Sequence, residues 1–93
     1  MLTIFKYPVL IEDRFTLELP KDAKILTVQT QRGIPQLWAM VDSETGKEKR
    51  YFRLAGTGHP LGDDYLRIIN CIGTFQMGNG ALVFHLFEIK EGV

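Results

Sequence analysis

No part of this 93-residue chain carries an apolar stripe of helical period. Its apolar residues come instead in short runs, each stopped by proline, glycine or a polar turn, and that pattern limits the chain to β structure. "TIFKY" is closed by Pro8, and "RFTLEL" sets Phe15, Leu17 and Leu19 on one face before Pro20 ends it. In "KILTVQTQ", Ile25 and Thr27 are expected to oppose Leu26 and Val28. "RGIP" turns the chain into "QLWAMVD", "SETGK" turns it again into "KRYFRLAG", and "IINCIGTFQM" and "ALVFHLFEI" flank "GNG". Seven short strands in a single domain, residues 1–93, predict a small all-β antiparallel sandwich or a closed barrel built of hairpins. One or two helical turns fit only Asp63 to Ile68, where "DDYLRI" has an acidic start.

The last hairpin can be registered from its turn. A two-residue turn at Asn79–Gly80 sets Met77 near Leu82, Phe75 opposite Phe84 and Gly73 opposite Leu86. The other face then carries Ile72, Val83 and Phe87 around the polar trio Thr74, Gln76 and His85. "QLWAMVD" is equally two-sided, with Leu37, Ala39 and Val41 opposed to Trp38 and Met40. One thin layer cannot bury both faces in so short a chain. Either the sheet closes on itself, or a second copy covers the outer face, with Trp38 and Met40 as interface anchors in a homo-oligomer.

Lys+Arg and Asp+Glu both total 11, so the chain has no long-range field for nucleic acid, and nucleic acid is not an expected partner. Zero net charge also does little to keep copies apart. A hydrophobic fraction of 45% fits a folded soluble domain, and no apolar run approaches the roughly 20 residues that cross a bilayer. "MLTIFKYP" lacks the layout of a signal peptide, and the single Cys71 can form no intramolecular disulfide. A cytosolic protein without a membrane partner is the expectation. Cys71, between Asn70 and Ile72, is expected to be a buried structural residue.

Three stretches could carry binding chemistry. In "AGTGHP", the amides of Gly56, Thr57 and Gly58 could converge on an anion, with His59 adding a donor; the alternative is a strand exit turned by glycine and Pro60. His85, beside Thr74 and Gln76, could bond a ligand or be satisfied by those neighbours. "KEKRYFRL" places Lys47, Lys49, Tyr51 and Arg53 on one face, suited to phosphates and bases or else to a solvated sheet edge. His59 and His85 with Asp63 or Asp64 show no metal-ligand spacing, so neither metal nor cofactor is expected. No nucleophile elbow or triad context occurs, and the chain is not expected to be an enzyme.

Taken together, "IFKYPVLIEDRFTLELPKDAKILTVQTQRGIPQLWAMVD", "GTGHPL", "IGTFQ" and "LVFHLFE" resemble a family of small, uncharacterised proteins of tailed bacteriophages and prophages. The resemblance covers nearly the whole chain and is weakest over "GDDYLRIINC". It implies a phage gene expressed in the host bacterial cytoplasm, and it carries over no site residue. Two kinds of accessory protein fit. One is a counter-defence protein that sequesters a nucleotide-derived immune signal in an oligomer pocket, with Tyr51, Arg53, Thr57, Gly58, His59, Thr74, Gln76 and His85 as ligand contacts. The other is a protein–protein module, an inhibitor of a host protein or a minor virion or assembly factor, acting through Trp38 and Met40.

Overall fold

A computed structural model describes residues 1–92. The strands are β1 (Leu2–Pro8), β2 (Arg14–Pro20), β3 (Lys24–Gln31), β4 (Ile34–Asp42), β5 (Lys47–Gly56), β6 (Ile68–Met77) and β7 (Leu82–Ile89), with a 3₁₀ turn over Gly62–Arg67 between β5 and β6. They form two antiparallel sheets. Sheet A has the order β1-β4-β3 and sheet B the order β2-β5-β7-β6. Of the two architectures left open by the sequence, the chain adopts the sandwich.

Alternation decides which side chains meet between the layers. Sheet A supplies Val28, Leu37, Ala39 and Val41, and sheet B supplies Phe15, Leu19, Phe52, Leu54, Phe75 and Leu86. Phe15 and Phe52, paired across β2 and β5, stack with centroids 5.2 Å apart. Each such ring or branched side chain contributes about 1.5–3 kcal/mol by leaving water. Arg50 and Glu88 close one end of this layer as a forked ion pair, and Arg50 Nη1 also donates to the Ala23 carbonyl at 2.8 Å. Burial of Glu88 is tolerable because its charge is matched there. Gly73 leaves room for Val28 of β3 to lie against β6: a Cβ there would come 3.1 Å from Val28 Cγ1.

The last hairpin has the register read from its turn, with Gly73 opposite Leu86, Phe75 opposite Phe84 and Met77 opposite Leu82. Elsewhere four expectations are corrected. A bulge between Ile25 and Thr27 inserts Leu26, so Ile25 and Val28 share the core face and Leu26 and Thr27 face outward. Of the Lys47–Arg53 face, Tyr51 and Arg53 lie inside the sheet because β7 pairs with β5 from Tyr51 onward, whereas Lys47 and Lys49 run past it, paired with β2 alone. Cys71 is exposed, since it is paired with Phe87 on the outer side of the edge strand β6. β4 also begins earlier than expected, at Ile34, because Arg32 and Gly33 alone make the turn from β3, both at positive φ.

Candidate functional site

The connection from β5 to β6, residues 57–67, lies across the outer face of sheet B. It begins with a tight turn in which the His59 amide donates to the Gly56 carbonyl at 3.0 Å. Gly58 takes the left-handed position of that turn, φ 86°, which a side chain would strain. The Thr57 amide donates to Val83 O at 3.1 Å. The Thr57 amide, one of the three expected to converge on an anion, is thus bonded within the chain, as is that of His59, and the stretch has the geometry of a strand exit. The His59 ring folds back over Gly56, where a Cβ would come within 2.9 Å of it.

Beyond this turn the connection is pinned by charge. Asp64, 1% exposed, sits among three arginines. Its Oδ2 accepts from Arg14 Nε at 2.7 Å and lies 2.9 Å from Arg53 Nε, while Oδ1 accepts from Arg67 Nη1 at 2.8 Å. The Arg14 hydrogen bond, aided by the charges of all three guanidiniums, holds the Asp64 carboxyl below the usual carboxylate range against the opposing effect of burial. Asp64 in turn raises Arg14. Arg53 is buried and spends its remaining donors on the carbonyls of Asp13, Leu54 and Pro60. The structure therefore places Arg53 beneath the connection as an internal brace and not at the surface.

Two hollows flank this brace. The larger, about 840 Å³, has Thr16, Tyr51 and Ile89 along its floor and Arg14, Asp63 and Arg67 on its walls. Arg14 keeps 63% of its side chain exposed and Arg67 keeps 29%. The Tyr51 hydroxyl donates to Glu91 Oε1 at 3.0 Å, which raises its pKa. The smaller hollow, about 170 Å³, is lined by Thr57, Gly58, His59, Leu61, His85 and Phe87. There His85 is bracketed by hydroxyls, Nε2 at 2.6 Å from Thr57 Oγ1 and Nδ1 at 2.9 Å from Thr74 Oγ1. A threonine hydroxyl can donate or accept, so this pair satisfies either neutral tautomer.

The residues singled out from sequence are thereby distributed. Thr57, Gly58, His59 and His85 share the small hollow, with Thr74 supporting His85 from behind. Tyr51 belongs to the larger one, and Gln76 lines a third cleft between β3 and β6 with Val28 and Thr30. Trp38 and Met40 lie on the far side of the molecule, on the outer face of sheet A. Sequence reasoning missed Arg14 and Arg67, and weighed Asp64 only as a metal ligand. The only local trace of the group is the acid–base spacing of Asp64 and Arg67 within "DDYLR". Among the described residues, no three His, Cys, Asp or Glu side chains gather in a metal-holding group, and no helix is long and apolar enough to cross a membrane.

The fold and its hollows define a small β-sandwich with a braced groove on one outer face. The chain belongs to the family described as a domain of unknown function (DUF7352), whose pattern it matches over residues 1–92. No curated protein and no solved structure matches it.

Proposed function

We propose that this protein binds without catalysing, and that it takes an anionic, aromatic small molecule of the nucleotide class in the groove floored by Tyr51. One observation carries this reading: a single buried carboxylate, Asp64, holds Arg14 and Arg67 in fixed positions beside a tyrosine ring, with the Arg14 side chain largely exposed and Arg67 also tied to the Lys90 carbonyl at 2.7 Å. Pre-set arginines suit phosphate oxygens, and an aromatic plane suits a base. A volume of about 840 Å³ falls within the range of ligand clefts. Arg14 and Arg67 take the place that the sequence reading gave to Arg53. Given the resemblance to phage proteins, the role is counter-defence in a host bacterial cytoplasm, by sequestration of a nucleotide-derived signal.

Native mass spectrometry of the protein mixed with cyclic and ADP-ribose-type nucleotides tests the proposal. Retention of one such mass per groove, lost in Tyr51→Ala and in Arg14→Gln, is the expected result. Retention of none, with the fold intact by circular dichroism, overturns it. The protein–protein reading is favoured by a separate observation, the apolar outer face of sheet A around Trp38 and Met40.

A further inference from the structure

Past the end of β7 the chain runs along the large groove on sheet B. Pairing sets Phe87 opposite Arg53 and Ile89 opposite Tyr51, and Glu91, two residues on, continues that side. Its carboxylate accepts the Tyr51 hydroxyl at 3.0 Å. Lys90 is tied to Arg67 in both directions: its amide donates to the Arg67 carbonyl at 2.9 Å, and its own carbonyl accepts from Arg67 Nη2 at 2.7 Å. Gly92, which lines the groove, lies so close to the same guanidinium that a Cβ on it would overlap Nη2.

These three residues occupy much of what the groove could offer an anion. The Tyr51 hydroxyl is bonded to Glu91. Arg67 gives Nη1 to Asp64 and Nη2 to Lys90, and its Nε is buried. Arg14 alone keeps most of its side chain in solvent. The Glu91 carboxylate also places negative charge at the tyrosine, where it opposes the entry of another. A ligand that is to use Tyr51 and Arg67 fully must release both from the chain. Because Lys90, Glu91 and Gly92 are consecutive, the two releases are coupled.

We infer that residues 90–92 form a strap on the groove, with Glu91 as a built-in competitor that an incoming anion displaces from Tyr51 as Arg67 Nη2 leaves Lys90. The ligand rests on the nucleotide reading of the groove; the strap does not. Such a strap lowers the apparent affinity by the fraction of time it is closed. An exposed hydrogen-bonded contact like that of Glu91 shifts an equilibrium by no more than about fivefold, so the strap can open readily.

NMR on isotope-labelled protein, with ADP-ribose as the probe, tests the strap and its ligand apart. Without nucleotide, the Tyr51 phenol should titrate at lower pH in Glu91→Ala than in the unmodified protein, because its bond to Glu91 raises it. The other charges around the groove, Glu12, Arg14, Asp63, Asp64 and Arg67, are the same in both. With ADP-ribose, the Glu91 and Gly92 amide signals should move toward those of an unstructured chain, and Glu91→Ala should bind about two- to fivefold tighter. An unchanged Tyr51 titration overturns the strap. A bound probe that leaves those amides in place, or an affinity that Glu91→Ala leaves unchanged or lowers, overturns the competitor alone. Binding to neither protein brings down the nucleotide reading of the groove, and the competitor with it.

Discussion

The two outer faces of this sandwich are built by the same alternation and end up differently. Sheet B spans β5 and β6, which are joined by a connection long enough to fold back as a roof, residues 57–67. Sheet A has no chain to spare. Its β3–β4 turn uses only Arg32 and Gly33, and β1 leaves directly through residues 9–13 toward β2 in the other sheet. A roof over sheet B brings polar groups onto strand positions and must satisfy them, hence Asp64 among Arg14, Arg53 and Arg67. The bare face of sheet A instead keeps Leu2, Ile4 and Met40. The lesson is that connection length, as much as strand sequence, decides which outer face of a small sandwich is roofed and which stays bare.

The strongest way to break this contrast is to remove the pin. Asp64→Ala leaves the buried Arg53 with only the exposed Asp13 carboxylate, 3.7 Å from Nη1, as counter-charge, and loss of the buried partner costs about 3–5 kcal/mol. Urea denaturation should show that drop; a change below about 1 kcal/mol would mean that the roof is held by something else. Acid sharpens the same point. Because the folded-state value of Asp64 lies below the usual carboxylate range, its stabilising contribution is complete above that range and is lost as pH falls through the folded value. Denaturation midpoints between about pH 5 and pH 2 should fall more steeply for the unmodified protein than for Asp64→Asn. Parallel curves would contradict the assignment.

Smaller effects test the two faces separately. Gly56→Ala puts a methyl against the His59 ring and should push that ring out of the small hollow, at about 1 kcal/mol, read by denaturation and by His59 chemical shifts. Thr74→Val removes one hydroxyl from His85 and should cost about 0.5–1.5 kcal/mol. At the bottom of the scale, Met40→Glu, at an exposed position of sheet A, should leave stability in the same denaturation assay within about 0.5 kcal/mol. A large loss of monomer stability there would show that the sheet A face is part of the core after all.

What could be read in advance follows the range of the interactions. The β6–β7 register was legible because Asn79–Gly80 fixes a local turn and alternation then propagates from it. The core residues Phe15, Leu19, Leu37, Val41, Phe75 and Leu86 followed from the same period. The bulge at Leu26 was not legible, since an inserted residue in "KILTV" leaves no mark in composition. Nor was the brace, because Arg14, Arg53 and Asp64 come from separate segments and meet only once the connection has folded over. Arg53 looked surface-exposed because charge on a strand ordinarily marks solvent. Its burial depends on a partner that no periodicity announces.

The pairing of β1 with β4 and of β2 with β5 also has a consequence in time. Leu2 lies opposite Asp42 and Arg14 opposite Arg53, so the first two strands to leave the ribosome must wait for distant partners. The β3–β4 and β6–β7 hairpins close locally and cost little loop entropy. Folding should therefore start from the two hairpins and finish with the N-terminal strands, so that Val28→Ala slows refolding while Ile4→Ala chiefly speeds unfolding. Until that last step Ile4 and Phe5 have no β4 to lie against, and an apolar strand made before its partner is covered late.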